Sequence, residues 1–310
     1  MEAIIVTVEF VLTALPRFAA VLLLAAAGKW IVVKTLPFRA PEEMMLRNNA
    51  AAGIAVAGAM VGLAIALSGA LFGAPWTHPV DDILHVLVYG VIAAELMRAS
   101  LWVNDKAILY TFCITEEIVR DHNRGTGYVV AGSSVATGLR VRGVLSGYSE
   151  SWVGGSGDML IYFAVGQAIL FGGALLYTST HYYDVHKEIE VGNNEAAGMS
   201  FGGFLVALGF IAGGALTGAT HHLGEEIAAS GVLAGFGVGL LLAARVLVDK
   251  LLMPGSSLAK EVAEDQNPAA GALAAASFVL VALLLANATR SPQVAPVPVP
   301  APAAETGGGQ

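Results

Sequence analysis

The sequence predicts an all-α polytopic membrane protein, with eight transmembrane helices in four parallel two-helix repeats. Three observations predict it. Of 310 residues, 56 % are hydrophobic and only 13 % charged, with a mean hydropathy of +0.69, outside the range of chains that fold in water. Apolar stretches recur at the length of about 20 residues that a hydrocarbon core about 30 Å thick requires. Between them a short polar frame recurs four times.

The apolar stretches fall at 15–36, 50–73, 82–104, 124–146, 158–180, 195–219, 226–249 and 268–288. Eight spans and their linkers fill the chain and leave no room for a soluble catalytic domain. The start, MEAIIVTVEF, places Glu2 and Glu9 before the first basic residue, Arg17. It lacks the cationic opening of a cleaved signal peptide, so the first span is expected to stay in the mature protein.

The polar frame is Glu, five residues, Asn, three residues, Gly: EMMLRNNAAAG (43–53), EIVRDHNRGTG (117–127), EIEVGNNEAAG (188–198) and EVAEDQNPAAG (261–271). The register runs on without a gap into the following helix. Eight residues past the Asn stand Ala57, Ala131, Gly202 and Ala275, followed by Gly58, Gly132, Gly203 and Ala276; twelve past it stand Val61, Val135, Val206 and Val279. The first and third units share NNAAAG/NNEAAG and GALFGA/GALTGA, whereas the second and fourth share Asp105-Lys106 and Asp249-Lys250. Two rounds of duplication produce such a pattern. The expected units are 1–73, 74–146, 147–219 and 220–290, with a Pro/Ala-rich tail at 291–310 that its alternating prolines keep from being helical. With two spans per unit, all four units enter and leave the membrane in the same sense.

Charge gives the orientation. Twelve of the sixteen basic residues lie in or beside the linkers that carry the frame, and the opposite loops, 74–81, 147–157 and 220–225, have no Lys or Arg. By the positive-inside rule the linkers are cytoplasmic and both termini external. Trp30 and Trp102 toward one interface, with Trp76 and Trp152 toward the other, suit aromatic belts. The net charge of −8 excludes nucleic acid as a partner, because neutralising phosphates takes clustered Lys and Arg. A single cysteine, Cys113, excludes an internal disulfide and any multi-cysteine metal site.

Each polar motif carries two readings. Asn49, Asn123, Asn194 and Asn267 stand where helix N-caps belong, and Pro268 directly after Asn267 fits that role; the alternative is a ring of four amides at a cytoplasmic mouth. Gly53, Gly127, Gly198 and Gly271, with the small pair beyond each, form a small-xxx-small stripe for close helix packing, which makes the even-numbered spans the inner set. Glu43, Glu117, Glu188 and Glu261 are expected on a solvated linker face, with partner contact as the alternative. The second linker, DKAILYTFCITEEIVRDHN, reads as an amphipathic surface helix suited to docking a cytoplasmic partner.

Arg140 lies about 25 Å along its helix from Asn123 by the rise per residue, so it and Arg142 are expected to reach out to the external interface. Asp81 and Asp82, and Glu225 and Glu226, precede spans three and seven, where carboxylates favour helix starts. His78, His221 and His222 lie nearby, with Glu150 and Asp158 in the other loop. The alternative there is a cation-attracting vestibule or a His and carboxylate metal site, although His221-His222 followed by Glu225-Glu226 matches no established ligand spacing. Glu95 and Arg98 are expected to form a local ion pair. No cofactor is expected.

The Glu-x5-Asn-x3-Gly frame, the Asn-Asn-x-Ala-Ala-Gly variants and the two-span unit resemble a family of bacterial inner-membrane proteins catalogued as domain of unknown function 350, over roughly 18–288. The resemblance implies paired spans in tandem, and genes neighbouring those for phage-shock-type membrane-remodelling proteins and an ATP-grasp ligase. It therefore implies a role in envelope stress or membrane maintenance. With the single-sided linkers and no catalytic constellation in the sequence, the expectation is a non-enzymatic component, embedded in lipid and acting with a cytoplasmic membrane-remodelling partner. The positions that match the motif are Asn49, Asn123, Asn194 and Asn267 with Gly53, Gly127, Gly198 and Gly271; His122 and Gln266 depart from the doubled Asn. The other expectation is an ion or small-solute channel with pseudo-fourfold symmetry about the membrane normal.

Overall fold

Apolar runs of this length satisfy their backbone polar groups internally in only one open-ended way, as helices, and every element among the described residues is helical. A computed structural model describes residues 2–71, 79–108, 113–145, 152–215, 223–252 and 255–289. Among the described residues eight helices have twenty residues or more: α1 (Glu2–Thr35), α3 (Ala50–Gly69), α4 (Pro79–Ala107), α5 (Arg124–Leu145), α6 (Trp152–Thr180), α8 (Glu195–Ala215), α9 (Leu223–Leu252) and α11 (Pro268–Ala288). Short helices α2 (Ala40–Met45), α7 (Val185–Glu190) and α10 (Leu258–Ala263), and a π-helical turn at Glu116–Arg120, precede α3, α8, α11 and α5. The Pro-rich stretch 291–310, Trp76, His78, Glu150, His221 and His222 lie outside the described residues, as do the side chains of Asp82, Trp152 and Asp158.

Seven of the long helices are long and apolar enough to cross a membrane, which makes this a multi-pass helical chain. The exception is α5, which carries Thr126, Ser133, Ser134, Thr137, Arg140 and Arg142. Its polarity is sheltered rather than exposed to lipid: α5 packs against α3 on one side and α8 on the other, with α4 and α6 also against it, and is buried along most of its length. The first helix starts well before the span expected at 15–36 and runs through Pro16.

Helices α3, α5, α8 and α11 lie side by side in one row. Small residues bring their backbones together: a Cβ added at Gly127 would lie 2.7 Å from the Ala51 carbonyl oxygen, and one added at Gly58, Gly132 or Gly203 would collide with Ala131, Gly202 or Ala275. The contacts keep register from Gly127 on Ala51 at one end to Gly69 on Arg142 at the other, so the row helices are parallel. These are the helices that follow the four polar frames, and they pack against one another through the small residues of the glycine stripe. The other four long helices flank the row, α4 against α3 and α5, α6 against α5 and α8, α9 against α8 and α11, and α1 against α3 and α4. Helices α3 and α11 are the two ends, so the arrangement is an open row and not the closed pseudo-fourfold ring that the channel reading required.

Candidate functional site

Each row helix begins at the polar frame, and the four copies share one geometry. The residue before the asparagine is left-handed, with φ of 51° at Asn48, 53° at His122, 48° at Asn193 and 47° at Gln266. Asparagine tolerates that conformation better than most L-residues, which accounts for the doubled Asn in two frames; His122 and Gln266 adopt it too. The left-handed step folds the asparagine back over the short helix, so that its backbone N–H donates to the carbonyl of the frame glutamate, at 2.9 Å for Asn49–Glu43 and 2.8 Å for Asn123–Glu117.

The side chain then does two things. Its Oδ1 caps the row helix, accepting from Ala52 at 3.2 Å, Thr126 at 3.1 Å, Ala197 at 2.9 Å and Ala269 at 3.0 Å. Its Nδ2 donates to the frame glutamate, at 3.0 Å from Asn49 to Glu43, 2.6 Å from Asn123 to Glu117, 3.1 Å from Asn194 to Glu188 and 3.0 Å from Asn267 to Glu261. In the first three frames Nδ2 also reaches into the next frame: Asn49 to the Ile118 carbonyl at 2.7 Å, Asn123 to Ile189 at 2.6 Å and Asn194 to Val262 at 2.8 Å. The frames are therefore latched to one another in sequence along the row.

Two expectations are corrected by this. The asparagines form a latched line, and in the first three both amide hydrogens are spent on protein, so they do not make a ring of free amides at a mouth. The glutamates are not on a solvated face: Glu43 and Glu117 are buried at 3 % and 5 % exposure, and Glu188 and Glu261 are half-buried, because each is folded under by its own asparagine. Burial pushes the Glu117 carboxyl above its ordinary value against the lowering effect of Asn123, with Asp121 and Glu190 adding to the rise. The half-buried Glu261 carboxyl is instead held below its ordinary value by the amide of Asn267 and the hydroxyl of Ser256. Gly127, Gly198 and Gly271 face the preceding row helix, whereas a Cβ added at Gly53 would meet nothing within 4 Å. The amphipathic helix expected in the second linker is also corrected: residues 116–120 make one π-helical turn, and Ile114 and Ile118 are buried in the core rather than laid on a surface.

Arg140 is a further correction. It does not reach outward but is fully buried, because α4 and α6 close over α5 on the side where its side chain leaves the helix. Its Nη2 donates to Ser100 Oγ at 2.6 Å, its Nη1 to the Phe163 carbonyl at 3.1 Å, and its guanidinium lies 4.8 Å from the Phe163 ring centre. Nε is buried without a hydrogen-bond partner, and among the described residues no carboxylate touches the group. A polar chain continues from it: Ser100 donates to Gln167 at 3.2 Å, Gln167 to Asn104 at 2.7 Å, and Asn104 to Thr137 at 3.2 Å. Arg142 points elsewhere and is half-buried.

At the far end, Asp81 and Glu225 are exposed in the first turns of α4 and α9, as helix-start chemistry predicts, and Asp82 shares that turn of α4. Glu226 is buried and accepts from the Tyr162 hydroxyl. Glu95 and Arg98 pair at 2.9 Å as expected. Trp30 and Trp102 are both exposed, as belt residues are.

One cluster escaped the sequence reading. An open groove of about 700 Å³ runs past His181, Tyr182, Tyr183, Asp184 and His186 at the frame end of α6. Burial, reinforced by the Arg245 charge, lowers the His181 imidazole to about 4, and burial raises the Tyr183 phenol. The run of aromatics in HYYDVH (181–186) was the available signal.

The repeated frame and the paired long helices decide the relationship. The chain belongs to the family described as Domain of Unknown Function (DUF350). The DUF350 model matches it twice, over residues 6–145 and 151–289, so the DUF350 architecture here is two tandem repeats, α1 to α5 and α6 to α11. No curated protein matches the chain, and no solved structure does.

Proposed function

We propose that this chain is a non-enzymatic scaffold of the bacterial inner membrane, made of eight spans in four parallel two-helix repeats, that holds its linkers on the cytoplasmic side for a membrane-remodelling partner in envelope stress or membrane maintenance. The observation that carries the reading is the latched line of frames. Three short helices and a π-helical turn are fixed to one another at one end of a row whose helices touch backbone to backbone, a rigid platform rather than a passage. On that platform Leu46 and Val191, at equivalent positions three residues before Asn49 and Asn194, are exposed at 78 % and 69 %, and exposed apolar residues at fixed spacing suit a partner surface.

The test places a photo-cross-linking residue at Leu46 and at Val191 in cells. A single protein captured from both positions, and lost when Leu46 and Val191 are changed to Ser, is the expected outcome. Capture of lipid alone at both sites removes the partner. The channel reading draws on the buried Arg140 chain. Ion flux in liposomes that disappears in an Arg140→Met variant of unchanged fold would place permeation ahead of the scaffold.

A further inference from the structure

Counted from the frame asparagine, positions four and eight of α5, α8 and α11 face the preceding row helix, as does position fifteen of α5 and α8. In α5 these are Gly127, Ala131 and Gly138, set against Ala51, Gly58 and Gly62 of α3. The equivalent positions of α3, Gly53, Ala57 and Ala64, with Val61 and Ser68 on the same face, have no preceding row helix. Ala57, Val61 and Ala64 are exposed, and the space beside Gly53 is open. Three covered copies and one uncovered copy of the same edge show what kind of element fits there: a helix whose own contact edge is built of small residues.

The far end of the row does not supply that element. Thirteen residues past the asparagine, α3, α5 and α8 carry Gly62, Ala136 and Ala207, and twenty past it Gly69, Gly143 and Gly214; α11 carries Leu280 and Asn287. At Gly62 even a Cβ would collide with the Ser134 carbonyl, so a leucine there forbids the spacing used inside the chain. Leu280 and Leu284 are 57 % and 61 % exposed, a lipid-facing cap of the sort terminal repeats carry. The edge that does match is the α3 stripe itself.

We infer that a second copy of this chain covers the α3 edge, with α3 pairing in parallel with its counterpart about a two-fold axis along the membrane normal. The self-complementary small residues permit the close approach that drives helix association in lipid. The row then runs α11, α8, α5, α3 and back through the second copy, with a leucine-rich α11 at each end. The inference needs only membrane insertion and stands apart from the scaffold reading.

The test uses the full chain with Cys113→Ser, reconstituted in liposomes. Oxidation of Ala57→Cys and of Ala64→Cys is expected to give covalent dimers, and Leu284→Cys none. Ala57→Leu is expected to halve the protein mass measured by light scattering in detergent while leaving the circular dichroism unchanged. A monomeric mass for the parent, or no cross-link at either position, overturns the inference. So does a ladder beyond dimer formed only when Ala57→Cys is combined with Ala276→Cys, which marks a head-to-tail row.

Discussion

The side-chain amide of Asn123 stands 2.6 Å from Glu117 and 2.6 Å from the carbonyl of Ile189, so one residue caps α5, holds a buried carboxylate and ties the second frame to the third. Asn267 makes the first two contacts but has no following frame to reach. Removing the cap costs about 1 kcal/mol, and stranding buried acceptors adds about 1–3 kcal/mol. Asn123→Ala is therefore expected to destabilise the fold by about 2–4 kcal/mol, and the more exposed Asn267→Ala by about 1 kcal/mol. Unfolding in mixed micelles by denaturing detergent measures both; equal losses mean the link between frames contributes nothing.

The second and fourth frames respond oppositely to pH. Glu117 is raised by burial in the folded state, so the folded chain binds its proton more tightly than the unfolded chain does, and stability falls as pH rises from the ordinary carboxylate value through the raised one. Glu261 is lowered, so its contribution is present above the ordinary value and is lost as pH falls through the lowered one. Glu117→Gln is expected to flatten the decline in unfolding midpoint on going from about pH 4.5 toward neutrality. Glu261→Gln is expected to leave that window alone and flatten the loss below it. An unchanged profile in Glu117→Gln means the carboxyl titrates normally in the fold.

Among the described residues, Arg140 presents a charge buried with dipoles for company: a hydroxyl, a carbonyl and a ring. Replacing a buried charge by an apolar side chain of similar length is often neutral or stabilising, because desolvation offsets the attraction. Arg140→Met is accordingly expected to keep or raise stability. Arg140→Ala leaves a void among α4, α5 and α6 and is expected to cost about 2–5 kcal/mol. Matched losses in both variants would mean that the guanidinium holds the three helices through its hydrogen bonds to Ser100 and Phe163.

How far these features could be read in advance depends on their range along the chain. The long helices and the caps are local: an apolar run sets the first, and Asn followed by helix-forming small residues sets the second, so both are legible. The parallel inner row was legible through the stripe that starts at Gly53, Gly127, Gly198 and Gly271, since small residues at helical spacing have few other uses in lipid. The burial of Glu43 and Glu117 was not, because it depends on the left-handed residue before the asparagine, which only Asn48 and Asn193 advertise. Arg140 was misplaced because distance along α5 gives depth but not which helices stand beside it. The open row was missed because repeat symmetry fixes neighbours and says nothing about closure.

His122 tests the left-handed step directly. It is exposed, so its ring contributes little packing, and its φ of 53° is a conformation that costs an L-residue roughly 1–2 kcal/mol. Glycine reaches it freely but loses about 0.5–1 kcal/mol more to unfolded-state entropy, so His122→Gly is expected to be neutral or stabilising by up to about 1 kcal/mol. A β-branched residue fits that region worst, and His122→Val is expected to lose stability and to weaken the bond from the Asn123 backbone N–H to the Glu117 carbonyl. Hydrogen exchange of the Asn123 amide, compared across the two variants, reads that bond. Equal protection in Gly and Val would show that the frame closes without the left-handed residue, and the doubled asparagines would then have no conformational reason.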